Sequence, residues 1–211
     1  MKKIIFPAIL TLIAFPVFGQ SIDFSQMSEL DSAVILQGGK KQLELNKKLE
    51  QALFEEQKSP NTQILQIQDL LKQGANPNVR VKGMPVVGLF SMKCSKENTM
   101  VLKLLLQAGA YPNVPLIKNY TPLGFAAAAG CYESVQLLLG AGADPFLMSG
   151  AESVLFLAVS GGNEAVVDLL LDSGLSEERK VKERAWKLAC RNGNEKIAQL
   201  LGQSCSKLKK I

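Results

Sequence analysis

Apolar residues recur along most of the chain in short clusters with helical spacing, and glycine-containing turns separate these clusters. In residues 133–139, Val135 and Leu138 lie on one face of a helix, because residues three and four positions apart are neighbours on a helix surface. Just upstream, Pro122 suits the first turn of a helix, where its missing N–H costs nothing, and Gly130 ends that short segment. The pattern therefore predicts pairs of short helices, each too small to bury its apolar face alone.

A longer period overlies the helical one. The phrase LLKQGANPN at residues 70–78 returns as LLQAGAYPN at 105–113 and as LLGAGADPF at 138–146, and a degenerate copy, LLDSGL, stands at 170–175. The glycines of these phrases are spaced 35, 33 and 32 residues apart, as expected of left-handed caps at the ends of repeated helices. This self-similarity predicts a solenoid, in which consecutive helix pairs stack to bury a common core.

The repeated phrases resemble the ankyrin repeat family. Residues 121–145, TPLGFAAAAGCYESVQLLLGAGADP, follow the family's pattern TPLHxAAxxGxxxxxxLLLxxGADx almost throughout. The resemblance implies an all-α solenoid of stacked helix-turn-helix units. We expect five such units, at residues 45–77, 78–112, 113–145, 146–177 and 178–203.

Two features depart from the family pattern. The histidine of TPLH is absent, and Val87 and Gly124 are aligned with it in two of the units. In the family that histidine joins adjacent turns by hydrogen bonds. Its absence therefore leaves undecided how rigid the turns are in this chain. Longer loops between helices are predicted in the first two units, around residues 57–61 and 93–99.

The first nineteen residues form a separate segment. Lys2 and Lys3 precede a mostly apolar run, residues 4–18, and Val17 and Gly19 occupy the −3 and −1 positions of a cleavage site. The run is shorter than the roughly 20 residues that span a bilayer, so it predicts a Sec-type signal peptide cleaved after Gly19, without stable membrane insertion. The short basic start is typical of bacteria and indicates a periplasmic or secreted protein. The remaining expected divisions are a loose leader at 20–40, a repeat domain at 41–203 and a basic tail at 204–211.

Composition narrows the function classes. The chain has no histidine, which removes Ser–His and Cys–His nucleophile pairs, HExxH zinc sites and imidazole acid–base catalysis. Residues 1–19 hold two of the 24 basic residues and none of the 19 acidic ones, so without them the formal charge falls from +5 to +3. That charge is too weak to indicate nucleic acid binding. The expectation is a monomeric, non-catalytic protein without a cofactor or a metal site.

Two of the four cysteines are candidates for a disulfide bond. Cys94 and Cys131 occupy the same position in adjacent units, just after the first helix, and an exported protein meets oxidising conditions. Equivalent atoms of stacked helices lie about 8–10 Å apart, beyond the roughly 7 Å limit between the Cα atoms of a disulfide. The inserted residues after Cys94 allow some backbone movement. The sequence therefore leaves undecided whether Cys94 and Cys131 form a disulfide. Cys190 is interpreted as a buried helix residue and Cys205 as part of the tail.

The resemblance also points to a binding surface. In this family the projecting turns and the exposed side of the first helices usually hold the partner, and they are normally polar. Apolar residues at these positions here indicate a protein interface, unless some fold over the neighbouring unit in place of the histidine contacts. The predicted partner-binding residues are Leu116, Ile117, Lys118, Tyr120, Phe125, Phe146, Met148 and Leu157.

These patterns together predict a protein-binding module of the bacterial cell envelope, with an unidentified protein as its partner. Two alternatives share this binding chemistry. One is an exported effector that binds a host protein, and the other is an immunity-type periplasmic inhibitor of a secreted enzyme.

Overall fold

The computed structural model describes residues 29–55, 59–175 and 178–206, and for residues 29–37 and Ile117 it describes the backbone only. The predicted signal peptide, the start of the leader and residues 207–211 of the tail lie outside the described residues. Contacts divide the chain into one unit that ends at Lys41 and a larger unit that begins at Gln42.

Helices account for nearly all regular structure in the described ranges. The ten α-helices there are α1 (Glu29–Leu53), α2 (Pro60–Lys72), α3 (Val86–Ser91), α4 (Lys96–Gln107), α5 (Pro122–Ala129), α6 (Tyr132–Gly140), α7 (Val154–Gly161), α8 (Glu164–Asp172), α9 (Arg179–Arg191) and α10 (Glu195–Leu200). A short antiparallel hairpin, β1 (Arg80–Val81) and β2 (Met84–Pro85), precedes α3 and pairs Arg80 with Pro85 and Val81 with Met84.

The helices stack in two layers. Helices α3, α5, α7 and α9 pack in sequence to form the inner layer, and α2, α4, α6, α8 and α10 form the outer layer. Between the layers runs one continuous apolar core, whose fully buried members include Leu49, Ile67, Leu102, Leu138, Leu170 and Ile197. Burying each such side chain contributes about 1.5–3 kcal/mol. The protein is therefore an all-α helical repeat solenoid.

The caps explain why helices this short begin and end where they do. The Thr121 hydroxyl accepts a hydrogen bond from the Gly124 N–H at 3.0 Å, and the Ser153 hydroxyl accepts one from the Phe156 N–H at 3.2 Å. Each bond satisfies a backbone donor that the first helical turn leaves free. At the other end of α5, Gly130 adopts the left-handed conformation with φ 70°, as expected from the sequence.

The inner layer also depends on small residues. A Cβ atom at Gly161 would meet the Ala128 carbonyl oxygen at 2.5 Å, because α7 passes directly against the end of α5. Ala126 and Ala127 are fully buried in the same contact. This close approach fixes the position of α7 relative to α5, and with it the surface that the two helices form together.

Three predicted boundaries differ in the structure. Helix α1 begins at Glu29, so the prediction of a loose leader is wrong for residues 29–40. Gly38 and Gly39 lie inside α1, because a helix that has already formed propagates through glycines at a cost of about 1 kcal/mol each. Pro60 is the first residue of α2 and not part of a loop, and α4 begins at Lys96, inside the range predicted as a loop.

Within the described residues, no helix combines the length and the apolar character that crossing a bilayer requires.

Candidate protein-binding surface

One apolar residue recurs at the same place on each inner-layer helix. On α5, Phe125 stands between the buried residues Leu123 and Ala126, and on α7, Leu157 stands between Leu155 and Ala158 in the same way. The same pattern of two buried neighbours holds on α3 and α9, and all four recurring side chains are half-buried. We name these residues the inner row: Leu89, Phe125, Leu157 and Leu188.

Sequence reasoning identified two members of the inner row, Phe125 and Leu157, and missed Leu89 and Leu188. Both missed residues stand one position before a residue of the buried core, Phe90 or Ala189. That spacing relative to the apolar core is visible in the sequence and was sufficient to find them. In α1 the corresponding position is Gln51, which is exposed, so the row begins with the second helix pair.

The projecting turns carry exposed apolar side chains. Phe146 is 54% exposed and Met148 is 51% exposed, as the sequence indicated, and Leu147 between them is exposed as well. Lys118 is also exposed, on a left-handed backbone with φ 55°. The structure adds Tyr111, at 66% exposure, which the sequence analysis did not select.

Tyr120 has a different position from the one expected. Its ring stacks on Phe125, with the ring centroids 5.1 Å apart and the planes 4° from parallel. On another side it lies against Gly150, where a Cβ atom would come within 2.9 Å of the ring. Tyr120 is therefore half-buried and links its own turn to the inner row and to the next turn.

Leu116 is not part of the exposed surface. It is only 8% exposed, and its methyl groups occupy the space in which Gly88 would carry a side chain. The expectation of an exposed Leu116 is therefore wrong. The alternative applies to it, since its side chain folds over the preceding unit. The backbone at Ile117 continues this turn, but its side chain lies outside the described residues.

The contacts of Leu116 also show which residue of the second unit corresponds to the histidine of the family pattern. Val87 is buried in the core, whereas Gly88 and Gly124 each lie against a side chain from the following turn. For Gly124 that side chain is Ser149, whose hydroxyl accepts a hydrogen bond from the Thr121 N–H at 3.0 Å. Gly88, not Val87, is therefore the structural counterpart of Gly124.

Asparagine side chains link successive turns. The amide of Asn113 accepts a hydrogen bond from the Asp144 N–H at 2.9 Å and donates one to the Gly142 carbonyl at 3.1 Å. Asn78 does the same one repeat earlier, with the Tyr111 N–H at 2.8 Å and the Gly109 carbonyl at 3.3 Å. These bonds restrain the turns that the missing histidine had left in question.

Phe146 interrupts this ladder of asparagines. It stands in the third copy of the phrase, GADPF, where the first two copies have Asn78 and Asn113. Its ring lies near Gly174, 3.5 Å from where a Cβ atom would be, yet more than half of its surface remains exposed. The chain thus has an exposed aromatic ring where its own repeats elsewhere use a hydrogen-bonding amide.

All four cysteines pair in the structure. Cys94 and Cys131 form a disulfide, with their Cα atoms 4.9 Å apart, because Cys94 lies in the loop after α3 and Cys131 directly precedes α6. Cys190 and Cys205 form a second disulfide, with a Cα separation of 5.2 Å. Cys190 does lie in a helix, but it is half-buried and bonded to Cys205, a pair that the sequence did not predict. This bond ties the segment after α10 to α9.

Charged groups lie close to the apolar surface. Arg184 pairs with Glu152 at 2.8 Å and places its guanidinium 5.5 Å from the centre of the Phe156 ring. On the same helix, a hydrogen bond from Lys187 and its positive charge lower the pKa of the Glu183 carboxyl. No group of three or more metal-ligating residues is found among the described residues. The surface thus combines apolar side chains that a partner could cover with charged side chains nearby, a combination that suits the binding of a macromolecule.

Two comparisons with known proteins bear on this arrangement. The family model for the ankyrin repeat matches residues 118–149, the stretch that includes α5, α6 and the two turns around them. Over 99 residues the chain is 31% identical to a transient receptor potential cation channel subfamily A member 1 homolog of Caenorhabditis elegans. That alignment covers 46% of this chain and 8% of the relative. Residues 118–149 thus confirm the ankyrin resemblance where the family phrase is most complete.

Proposed function

We propose that this protein is a non-catalytic binding module that holds a protein partner across the inner row and the projecting turns. The observation that carries the proposal is Phe146, an exposed aromatic ring in a position where two other repeats have an asparagine. An exposed apolar residue there gives up hydrogen bonds that the fold otherwise uses, so a role outside the fold explains it better. Ankyrin repeats generally mediate protein–protein interactions, which supports the proposal.

The energetic roles divide between apolar anchors and charged flanks. Phe146 and Met148 offer large exposed side chains, and burial of residues of this kind dominates the affinity of most interfaces. Phe125 and Leu157 of the inner row add half-buried apolar area. Exposed charges such as Lys118 would select the partner and speed its association more than they raise the affinity.

We also propose that the protein works outside the cytoplasm, in the bacterial envelope. The signal-peptide pattern of residues 1–19 supports this location. The four paired cysteines support it as well, because disulfides persist in oxidising compartments and are rare in the cytosol.

Affinity capture with the oxidised protein as bait tests the proposal. We expect a stoichiometric protein in the periplasmic or secreted fraction of the source bacterium, and we expect Phe146→Ala with Met148→Ala to lose it. Leu65→Ala is a matched control, because Leu65 is 65% exposed but lies on outer-layer helix α2. Capture that the double variant leaves unchanged would contradict the proposed surface.

A further inference from the structure

A groove opens at the N-terminal end of the inner layer. Its apolar lining side chains are Phe54, in the turn directly after α1, Val81 and Met84 of the hairpin, and Leu89 of α3. The Phe54 ring is 43% exposed, and its centroid lies 6.1 Å from that of the buried Phe90. The groove has a volume of about 770 Å³ and stays open to solvent, which is large enough for several side chains of a peptide.

Basic residues outnumber acidic ones among the described side chains that line the groove. These are Lys47 of α1 and Lys82 of the hairpin, against one acidic residue, Glu50. Within the described residues neither lysine forms an ion pair. Two ammonium groups beside apolar side chains complement a ligand that is both apolar and acidic.

The hairpin holds Lys82 in a defined place. The Arg80 guanidinium donates a hydrogen bond to the Gly83 carbonyl at 2.9 Å across the tip of the hairpin. Lys82 itself has a left-handed backbone, with φ 50°, a conformation that is strained for a residue with a branched or long side chain. The fold thus keeps a basic residue at the groove where a glycine or an asparagine would be less strained.

The groove and the inner row are continuous, because Leu89 belongs to both. An extended chain that enters the groove can therefore run on along the row toward Phe125. This continuity favours a segment of a larger partner over a small molecule, which would be held in the groove alone.

We propose that the groove receives a short segment of the protein partner, in which apolar anchor residues are flanked by aspartate or glutamate. The proposal rests on the protein-binding function above and specifies the chemistry of one part of the partner. The apolar anchor lies against Phe54, Met84 and Leu89, and the acidic flank pairs with Lys47 and Lys82.

Selection from a library of short random peptides, displayed on phage, tests this inference without a known partner. The immobilised, oxidised protein should enrich peptides that combine apolar residues with neighbouring acidic ones. Synthetic copies should bind about tenfold more weakly to Lys47→Glu with Lys82→Glu and to Phe54→Ser, and more weakly at high salt. Lys103→Glu and Leu65→Ser are the controls, because both residues are exposed on α4 or α2 and do not line the groove.

Two results would overturn the proposal. One is enrichment of peptides without an acidic bias, or of peptides whose affinity the groove variants leave unchanged. The other is a fluorescent fatty acid that binds in the groove while no acidic peptide is enriched, which would make the groove a lipid site.

The outcome for the groove is separable from that for the proposed function. Partner capture that requires Phe146 but tolerates the Lys47 and Lys82 reversals would overturn the groove proposal alone. Acidic peptides selected at the groove, with capture unaffected by loss of Phe146 and Met148, would instead overturn the surface given under the proposed function.

Discussion

Ser149 occupies the space in which residue 124 would otherwise carry a side chain. Its hydroxyl reaches back to the Thr121 N–H at 3.0 Å, so one residue both fills the gap beside Gly124 and joins two turns. Leu116 and Gly88 repeat this arrangement one unit earlier, with a methyl group in place of the hydroxyl. Where the ankyrin pattern has a histidine, this chain therefore has a glycine and a side chain supplied by the next turn.

Replacing Gly124 by alanine should destabilise the fold by about 1–3 kcal/mol, because the added methyl group would overlap Ser149 in a fully packed region. Urea unfolding followed by circular dichroism measures the change. Gly140→Ala is the control, since a Cβ atom there meets nothing within 4 Å and the substitution is expected to be neutral or slightly stabilising. Equal effects of the two substitutions would contradict the packing described for Ser149.

The two disulfides should each stabilise the protein by about 3–4 kcal/mol, because they close segments of 37 and 15 residues in the unfolded chain. Cys94→Ser with Cys131→Ser should therefore lower the midpoint of thermal unfolding, and a reducing agent should have the same effect on the unsubstituted protein. Intact mass after alkylation without reduction should show no labelled cysteine. A labelled thiol in protein purified without a reducing agent would contradict the pairing.

Loss of the Asn113 amide should cost about 0.5–1.5 kcal/mol, because its removal breaks the hydrogen bonds to the Asp144 N–H and the Gly142 carbonyl, which water can partly replace at this exposed site. Asn113→Ala can be compared by chemical unfolding with Asn61→Ala. Asn61 is exposed near the start of α2, and its side chain makes no hydrogen bond to any other described residue. Similar stabilities of the two variants would show that the asparagine ladder contributes little.

Phe146→Asn should separate stability from binding. It places in the third repeat the amide found in the first two, within reach of the turn at Gly174, and so should leave stability unchanged or raise it by about 0.5–1.5 kcal/mol. The same substitution removes the exposed ring and should weaken partner capture. The proposed role of Phe146 fails if this variant loses stability and still captures the partner fully.

The Glu183 carboxyl should titrate below its ordinary pKa of 4.5, first because Lys187 donates it a hydrogen bond and also because of the charge of Lys187. Because the pKa of Glu183 is lower in the folded protein than in the unfolded chain, its pair with Lys187 stabilises the fold at neutral pH. This stabilisation is lost as the pH falls through the pKa of the folded state. Carbon-detected NMR titration can follow this group. Lys187→Ala should raise the pKa of Glu183 toward 4.5, and an unchanged titration would show that the pair does not form in solution.

Local signals predicted the helices well and the inner surface in part. Pro122 and Gly130 begin and end α5 as expected, because cap preferences act through neighbouring backbone groups that are close in sequence. The exposure of Phe146 and Met148 was also predicted, since the repeat phrase assigns each position a side, whereas Phe125 is half-buried and not exposed. Leu116 escaped this reasoning, because its burial depends on the space above Gly88 in the preceding unit.

By itself, then, the sequence determined the paired helices, their caps and the stacking that follows from a repeat whose single units cannot bury their apolar faces. Only the tertiary structure decided which side chains cover a neighbour and which remain exposed, as with Leu116 and Phe146. It also decided that Cys190 meets Cys205 and that the Phe54 groove runs into the inner row. These features depend on distances between units, which stacking sets and no local pattern encodes.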